Sequence, residues 1–120
     1  MAKPGESGLA RMRSATRYSV HGLRCVWRQE AAFRQEASAC LVLIPTAFFL
    51  AGNAAELALL AGSCVLVLIV EILNTAIEAV VDRIGNEAHD LSGLAKDLGS
   101  AAVFTSLLLV LLIWGIILLG

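Results

Sequence analysis

Leu57-Ala-Leu-Leu60-Ala-Gly-Ser-Cys64-Val-Leu-Val67-Leu-Ile-Val-Glu71-Ile-Leu-Asn74-Thr-Ala-Ile-Glu78-Ala-Val-Val81 is the stretch on which the fold turns. It holds no proline and no positive charge, and it meets Asp82-Arg83 at its far end. About 20 apolar residues in an α-helix cross the hydrocarbon of a bilayer, so 57–81 is predicted to be a membrane-spanning helix. Upstream, Gly52-Asn53 is a turn dipeptide, and the apolar run Ala37 to Ala51 before it becomes long enough to span once residues 31–36 are added. Pro45 within that first span, 31–51, is expected to bend it without breaking it, because neighbouring helices can satisfy the freed carbonyl. Downstream, 82–97 reads as a polar loop or short helical turn. Residues 98–119 form a third span with Trp114 as an interfacial anchor.

Composition supports lipid as the solvent. Of 120 residues, 58% are apolar and 16% charged, and the mean hydropathy is +0.81. So short a chain could not hide that much apolar surface in water. The net charge of −1 is uninformative, but seven of the nine Lys and Arg lie between Lys3 and Arg34, and the other two are Arg83 and Lys96. The positive-inside rule then places the N-terminus and the 82–97 segment in the cytoplasm, and residues 52–56 and the C-terminus in the periplasm. From about residue 9 to residue 30, arginines alternate with Leu9, Met12, Tyr18, Leu23, Val26 and Trp27, a pattern that fits an amphipathic helix lying on the membrane surface or, more simply, a basic stretch that only fixes topology. No cleavable secretory signal is expected. The cysteines Cys25, Cys40 and Cys64 have no metal-ligand spacing and read as packing residues. There is no repeat and no second domain, so residues 1–120 form a single all-α membrane domain. Three helices enclose little interior, which makes a homo-oligomer the expected state, and no nucleic-acid partner is expected.

Chemistry concentrates on one stripe. Glu71, Asn74, Glu78 and Asp82 are spaced i, i+3, i+7 and i+11, which puts all four on one face of the 57–81 helix. One ionisable side chain at the centre of a membrane helix costs ~2.5 to 3.5 kcal/mol, a penalty that usually marks function. Read alone, the stripe fits a reaction centre, a proton or cation conduit, or a polar seam between protomers. Glu30 and Glu36 add carboxylates at the same membrane face, where Mg²⁺, a hard cation that takes oxygen ligands, could be held. A Glu30–Arg34 ion pair is the simpler alternative for that residue. The segment Asn86 to Ser100 is rich in hydrogen-bonding groups but has neither a Walker glycine pattern nor a Gly-rich kinase loop. Lys96 could meet a phosphate or simply mark the end of the third span, and His89 alone reads as a solvated residue.

Three segments together closely resemble the prokaryotic diacylglycerol kinase family: Glu30-Ala-Ala-Phe33-Arg34-Gln35-Glu36, then Glu71-Ile-Leu-Asn74-x-Ala-Ile-Glu78-Ala-Val-Val-Asp82-Arg83, then Ala95-Lys96-Asp97-x-Gly99-Ser100. The resemblance implies a homotrimer in the bacterial inner membrane that phosphorylates diacylglycerol with ATP and Mg²⁺ at sites between subunits. By motif matching it implies that Glu71 is the general base, that Asn74 positions the reacting groups, and that Glu30 and Glu78 are Mg²⁺ ligands. Arg11, Tyr18, Glu87, His89, Lys96 and Asp97 match nucleotide-contacting positions, with Ala88 standing where an aromatic often precedes the histidine. Arg11, Ala15, Ser19, Arg24, Glu36, Glu71 and Ser100 fall on the lipid side. Ser14, Val20, His21 and Ala88 depart from the family pattern. A sister branch phosphorylates undecaprenol, which also presents a primary hydroxyl on a long apolar body, but Asp82-Arg83-Ile-Gly85-Asn-Glu87 and Gly22-Leu-Arg24-x-x-Trp27 look like the diacylglycerol branch.

Overall fold

The computed structural model describes residues 5, 7–85 and 90–120. Every regular element among them is a helix: α1 Gly8–Gln29, α2 Ala31–Leu50, α3 Ala54–Ile84 and α4 Asp90–Leu119. Three of these helices, α2, α3 and α4, are long and apolar enough to cross a membrane.

Helix α1 starts where the Ser7 hydroxyl accepts the Ala10 N–H at 3.4 Å, an N-cap that satisfies one orphan donor. It stops at Glu30, whose extended backbone (φ −116°, ψ 105°) closes α1 and opens α2. Arg34 fastens this break. Its Nη1 donates to the carbonyls of Trp27 at 2.6 Å and Arg28 at 3.0 Å, groups that the end of α1 leaves without intrahelical partners. Leu9, Met12, Leu23 and Trp27 stay exposed along α1, the apolar surface that an interfacial helix turns to lipid. Helix α2 runs unbroken through Pro45, as expected.

Three boundaries differ from the sequence reading. Helix α3 begins at Ala54 rather than 57, because the Asn53 side chain accepts the Glu56 N–H (2.9 Å) while the Glu56 carboxylate accepts the Gly52 N–H (3.0 Å). This reciprocal pair works like a capping box and carries the helix back into the turn. At its other end α3 runs past Val81 to Ile84. Residues 90–97 are helical and continuous with the third span rather than a loop. No proline interrupts them, and Asp90 in the first turn complements the helix dipole, so their polarity marks depth in the membrane and not an irregular backbone.

Helix α3 is the centre of the bundle and buries Leu60, Ser63, Cys64, Val67, Glu71 and Val81. The Cys40 thiol points at the Cys64 carbonyl, 3.6 Å away, so these two cysteines pack α2 against α3; all three cysteines are free. Trp114 is not simply an interfacial anchor. Its indole N–H donates to the Leu60 carbonyl at 3.1 Å and ties α4 to α3 inside the bundle. The outer face of α4 carries Leu98, Phe104, Leu111 and Leu119 exposed, an apolar surface suited to lipid or to another copy of the chain.

Candidate active site

The buried face of α3 passes from apolar to polar without changing direction. Leu60, Cys64 and Val67 are followed at helical spacing by Glu71, Asn74 and Glu78, so the polar stripe continues the packing seam instead of facing lipid. Glu71 is 4% exposed. From α2, the Glu36 carboxyl hydrogen-bonds to it. The second Glu36 oxygen, Oε2, is buried with no partner.

One turn along, Asn74 Nδ2 donates to Glu78 Oε1 at 3.0 Å. The Asn74 carbonyl oxygen points the other way, buried and without a hydrogen-bond partner, against Gly99 of α4. Glu30, at the α1–α2 break, and Glu78 are both close enough to Glu71 for their charges to act on it. Where α3 leaves the bundle, Lys96 Nζ meets Asp82 Oδ1 at 2.7 Å, both side chains open to solvent. The result is a polar ladder of Glu36–Glu71, Asn74–Glu78 and Asp82–Lys96, running from the buried interior to the polar end of the molecule.

A model of the family described as prokaryotic diacylglycerol kinase matches residues 17–118. The chain belongs to the prokaryotic diacylglycerol kinase family. Diacylglycerol kinase of Pseudomonas aeruginosa is 51% identical over 116 residues, covering 97% of this chain and 94% of that protein. The Escherichia coli K12 diacylglycerol kinase is 52% identical over 112 residues (93% and 92%), and that of Haemophilus influenzae 47% over 109 residues (91% and 92%). Membership makes the chain an enzyme of the lipid-kinase class and supplies ATP as its co-substrate.

Against that background, the structure brings some of the sequence-derived positions together and leaves others apart. Glu36 pairs with Glu71, and Asn74 pairs with Glu78 one turn along α3, with Glu30 and Glu78 near enough to Glu71 for their charges to act on it. Arg11, Ala15, Tyr18, Ser19 and Arg24 all lie exposed on α1, where the Arg17 guanidinium covers the Tyr18 ring at 5.6 Å and the Ser19 hydroxyl donates to the Ala15 carbonyl at 2.8 Å. Asp97 and Ser100 are exposed on α4 on either side of Gly99. Glu87, Ala88 and His89 lie outside the described residues. The Glu30–Arg34 ion pair does not form, because Arg34 is engaged with the α1 carbonyls.

Among the described residues, no three His, Cys, Asp or Glu side chains gather as a metal cage. Mg²⁺ bound together with a nucleotide needs no such cage: it keeps waters, takes phosphate oxygens, and asks the protein for one or two carboxylates. Glu30 and Glu78, hard oxygen donors near enough to Glu71 for their charges to act on it, suit that demand, and Glu78 is already oriented by Asn74. Sequence reading missed three contacts around this site. The sequence sets Glu36 beside the lipid and not on Glu71, does not pair Asp82 with Lys96, and gives Gly99 no role. Each depends on how separate helices cross, which helical spacing within one segment does not encode.

Proposed function

We propose that this chain transfers the γ-phosphoryl group of ATP to the free hydroxyl of diacylglycerol, giving phosphatidic acid and ADP, at the cytoplasmic face of the bacterial inner membrane. The reading rests on one observation above the others: a nearly inaccessible carboxyl, Glu71, sits on the inner seam of the bundle at the head of a stripe of polar groups on α3 that ends at the solvent-open Asp82. A lipid hydroxyl and a soluble nucleotide can meet only at such a boundary.

Glu71 is the general base. It takes the proton of the lipid hydroxyl as that oxygen bonds to the γ-phosphorus, while the bond from the γ-phosphorus to the β–γ bridging oxygen breaks and ADP leaves. Glu30 and Glu78 hold Mg²⁺, which supplies neutralisation of phosphate charge when bound. Asn74 holds Glu78 in place. Lys96 meets phosphate as a point charge, and because its pair with Asp82 is open to solvent and screened, an incoming phosphate can share it at little cost. Arg11, Tyr18, Glu87, Ala88, His89 and Asp97 complete the nucleotide side. Ala15, Ser19, Arg24, Glu36 and Ser100, with Arg11, border the lipid. The functional unit is a homotrimer.

The test is transfer of label from γ-labelled ATP to diacylglycerol, and in parallel to undecaprenol, by purified protein in mixed micelles with Mg²⁺. Diacylglycerol should be labelled, and Glu71→Gln should lower turnover by roughly 10²-fold or more, the usual contribution of a general base. Normal turnover in Glu71→Gln would remove the assignment of the base. Label on undecaprenol alone would move the enzyme to the sister branch.

A further inference from the structure

Helices α3 and α4 cross closely at Gly99, which is buried although Asp97, Leu98 and Ser100 around it are exposed. The contact there is with one side chain. A Cβ added to Gly99 would collide with the Asn74 carbonyl oxygen and stand 3.1 Å from its Cγ. The same oxygen is buried and lacks a hydrogen-bond partner, while the amide nitrogen on its other side donates to Glu78 at 3.0 Å.

We infer that Gly99 is a positioning residue: by keeping a Cβ out of the α3–α4 crossing, it lets the Asn74 carboxamide sit flat against α4 and so aims its N–H at Glu78. This inference rests on the roles proposed above for Asn74 and Glu78. The carboxamide cannot escape an added methyl by turning over, because exchanging its oxygen and nitrogen leaves the bulk unchanged and sets two acceptors, Asn74 Oδ1 and the Glu78 carboxylate, against each other. It must instead rotate about χ2 or leave its χ1 well, and either movement swings the amide N–H away from Glu78. Only glycine leaves the space that the carbonyl oxygen occupies. The residue acts on the reaction through Asn74 and Glu78 and touches no substrate itself.

The experiment uses the full chain in micelles as wild type, Gly99→Ala, Asn74→Ala and the double variant, with asparagine labelled by ¹⁵N. The Asn74 side-chain amide signal is the one absent from Asn74→Ala. In Gly99→Ala this signal should move, and kcat/KM for MgATP should fall about tenfold to a hundredfold, as expected when a hydrogen bond to a charged group is broken, with KM for diacylglycerol unchanged. In the Asn74→Ala background, Gly99→Ala should cost nothing further in activity or thermal stability. An unmoved amide signal, wild-type kinetics in Gly99→Ala, or a second independent loss in the double variant would each overturn the inference. Should Gly99→Ala fail to fold, the double variant decides: folding supports the contact with Asn74, and failure reduces Gly99 to a packing requirement. Wild-type kinetics in Asn74→Ala would instead sink the proposed role of Asn74, and the amide signal would still report whether the contact exists.

Discussion

A carboxyl group at 4% exposure in a membrane bundle survives only with a partner, and Glu71 has one in Glu36. The pairing makes an unequal prediction for two substitutions. Glu36→Gln keeps an N–H donor for Glu71 at the same length, so the variant should fold and retain measurable turnover. Glu36→Ala leaves the buried Glu71 carboxyl without that partner and should cost about 1 to 3 kcal/mol of stability, along with activity. Reversible unfolding in mixed detergent, run beside the kinase assay, separates the two; equal stability of both variants would show that the Glu36 hydrogen bond does not matter to the fold. The stripe Glu71, Asn74, Glu78 and Asp82 was legible in the sequence because helical spacing is a property of one segment. The partners of its members were not, since Glu36, Gly99 and Lys96 come from other helices and neither spacing nor polarity says which of them meets which.

At the scale of the element, polarity proved a good guide to where the chain leaves the hydrocarbon and a poor guide to where a helix ends. Spans at 31–51, 57–81 and 98–119 correspond to α2, α3 and α4, yet α3 gains a turn at its start through the Asn53–Glu56 cap, and α4 extends back through polar residues to Asp90. Hydropathy reports transfer into lipid. Helix limits report backbone hydrogen bonds, which caps settle locally. The α1–α2 break shows the same logic. Its extended Glu30 is held by Arg34 reaching back seven residues to Trp27, so Arg34→Met, which keeps the apolar stem and removes the guanidinium, should free the last carbonyls of α1. Amide exchange at the C-terminal turn of α1 and at Glu30 should quicken, with the centre of α3 unchanged. Because Glu30 is a proposed Mg²⁺ ligand, the apparent affinity for Mg²⁺ should weaken in the same variant. Unaltered exchange across 26–31 would mean that the break is held by packing around Val26 and Phe33, which are buried on either side of it.

At the scale of the whole molecule, three helices are long and apolar enough to span; with all three crossing, the two ends of the chain would lie on opposite sides of the membrane, and the charges choose between the two arrangements. Seven basic residues precede Cys40, Arg83 and Lys96 flank the α3–α4 connection, and the α2–α3 turn at Gly52–Asn53 has none. Both basic regions therefore favour one orientation, with the polar end of the ladder in the cytoplasm, where ATP is. The inverse orientation would carry nine positive charges across the bilayer and open the Asp82–Lys96 end to a compartment without nucleotide. Alkaline phosphatase, whose disulfides form only outside the cytoplasm, reads this directly when fused to successive points of the chain. Fusions after Asn53 and after Gly120 should be active, and a fusion after Gly85 should be inactive. Activity after Gly85 with silence at the other two points would reverse the topology and leave the Glu71 to Lys96 ladder facing away from its proposed phosphate donor. No assignment of Glu30, Glu78 or Lys96 to Mg-ATP could then stand, however well their side chains suit it.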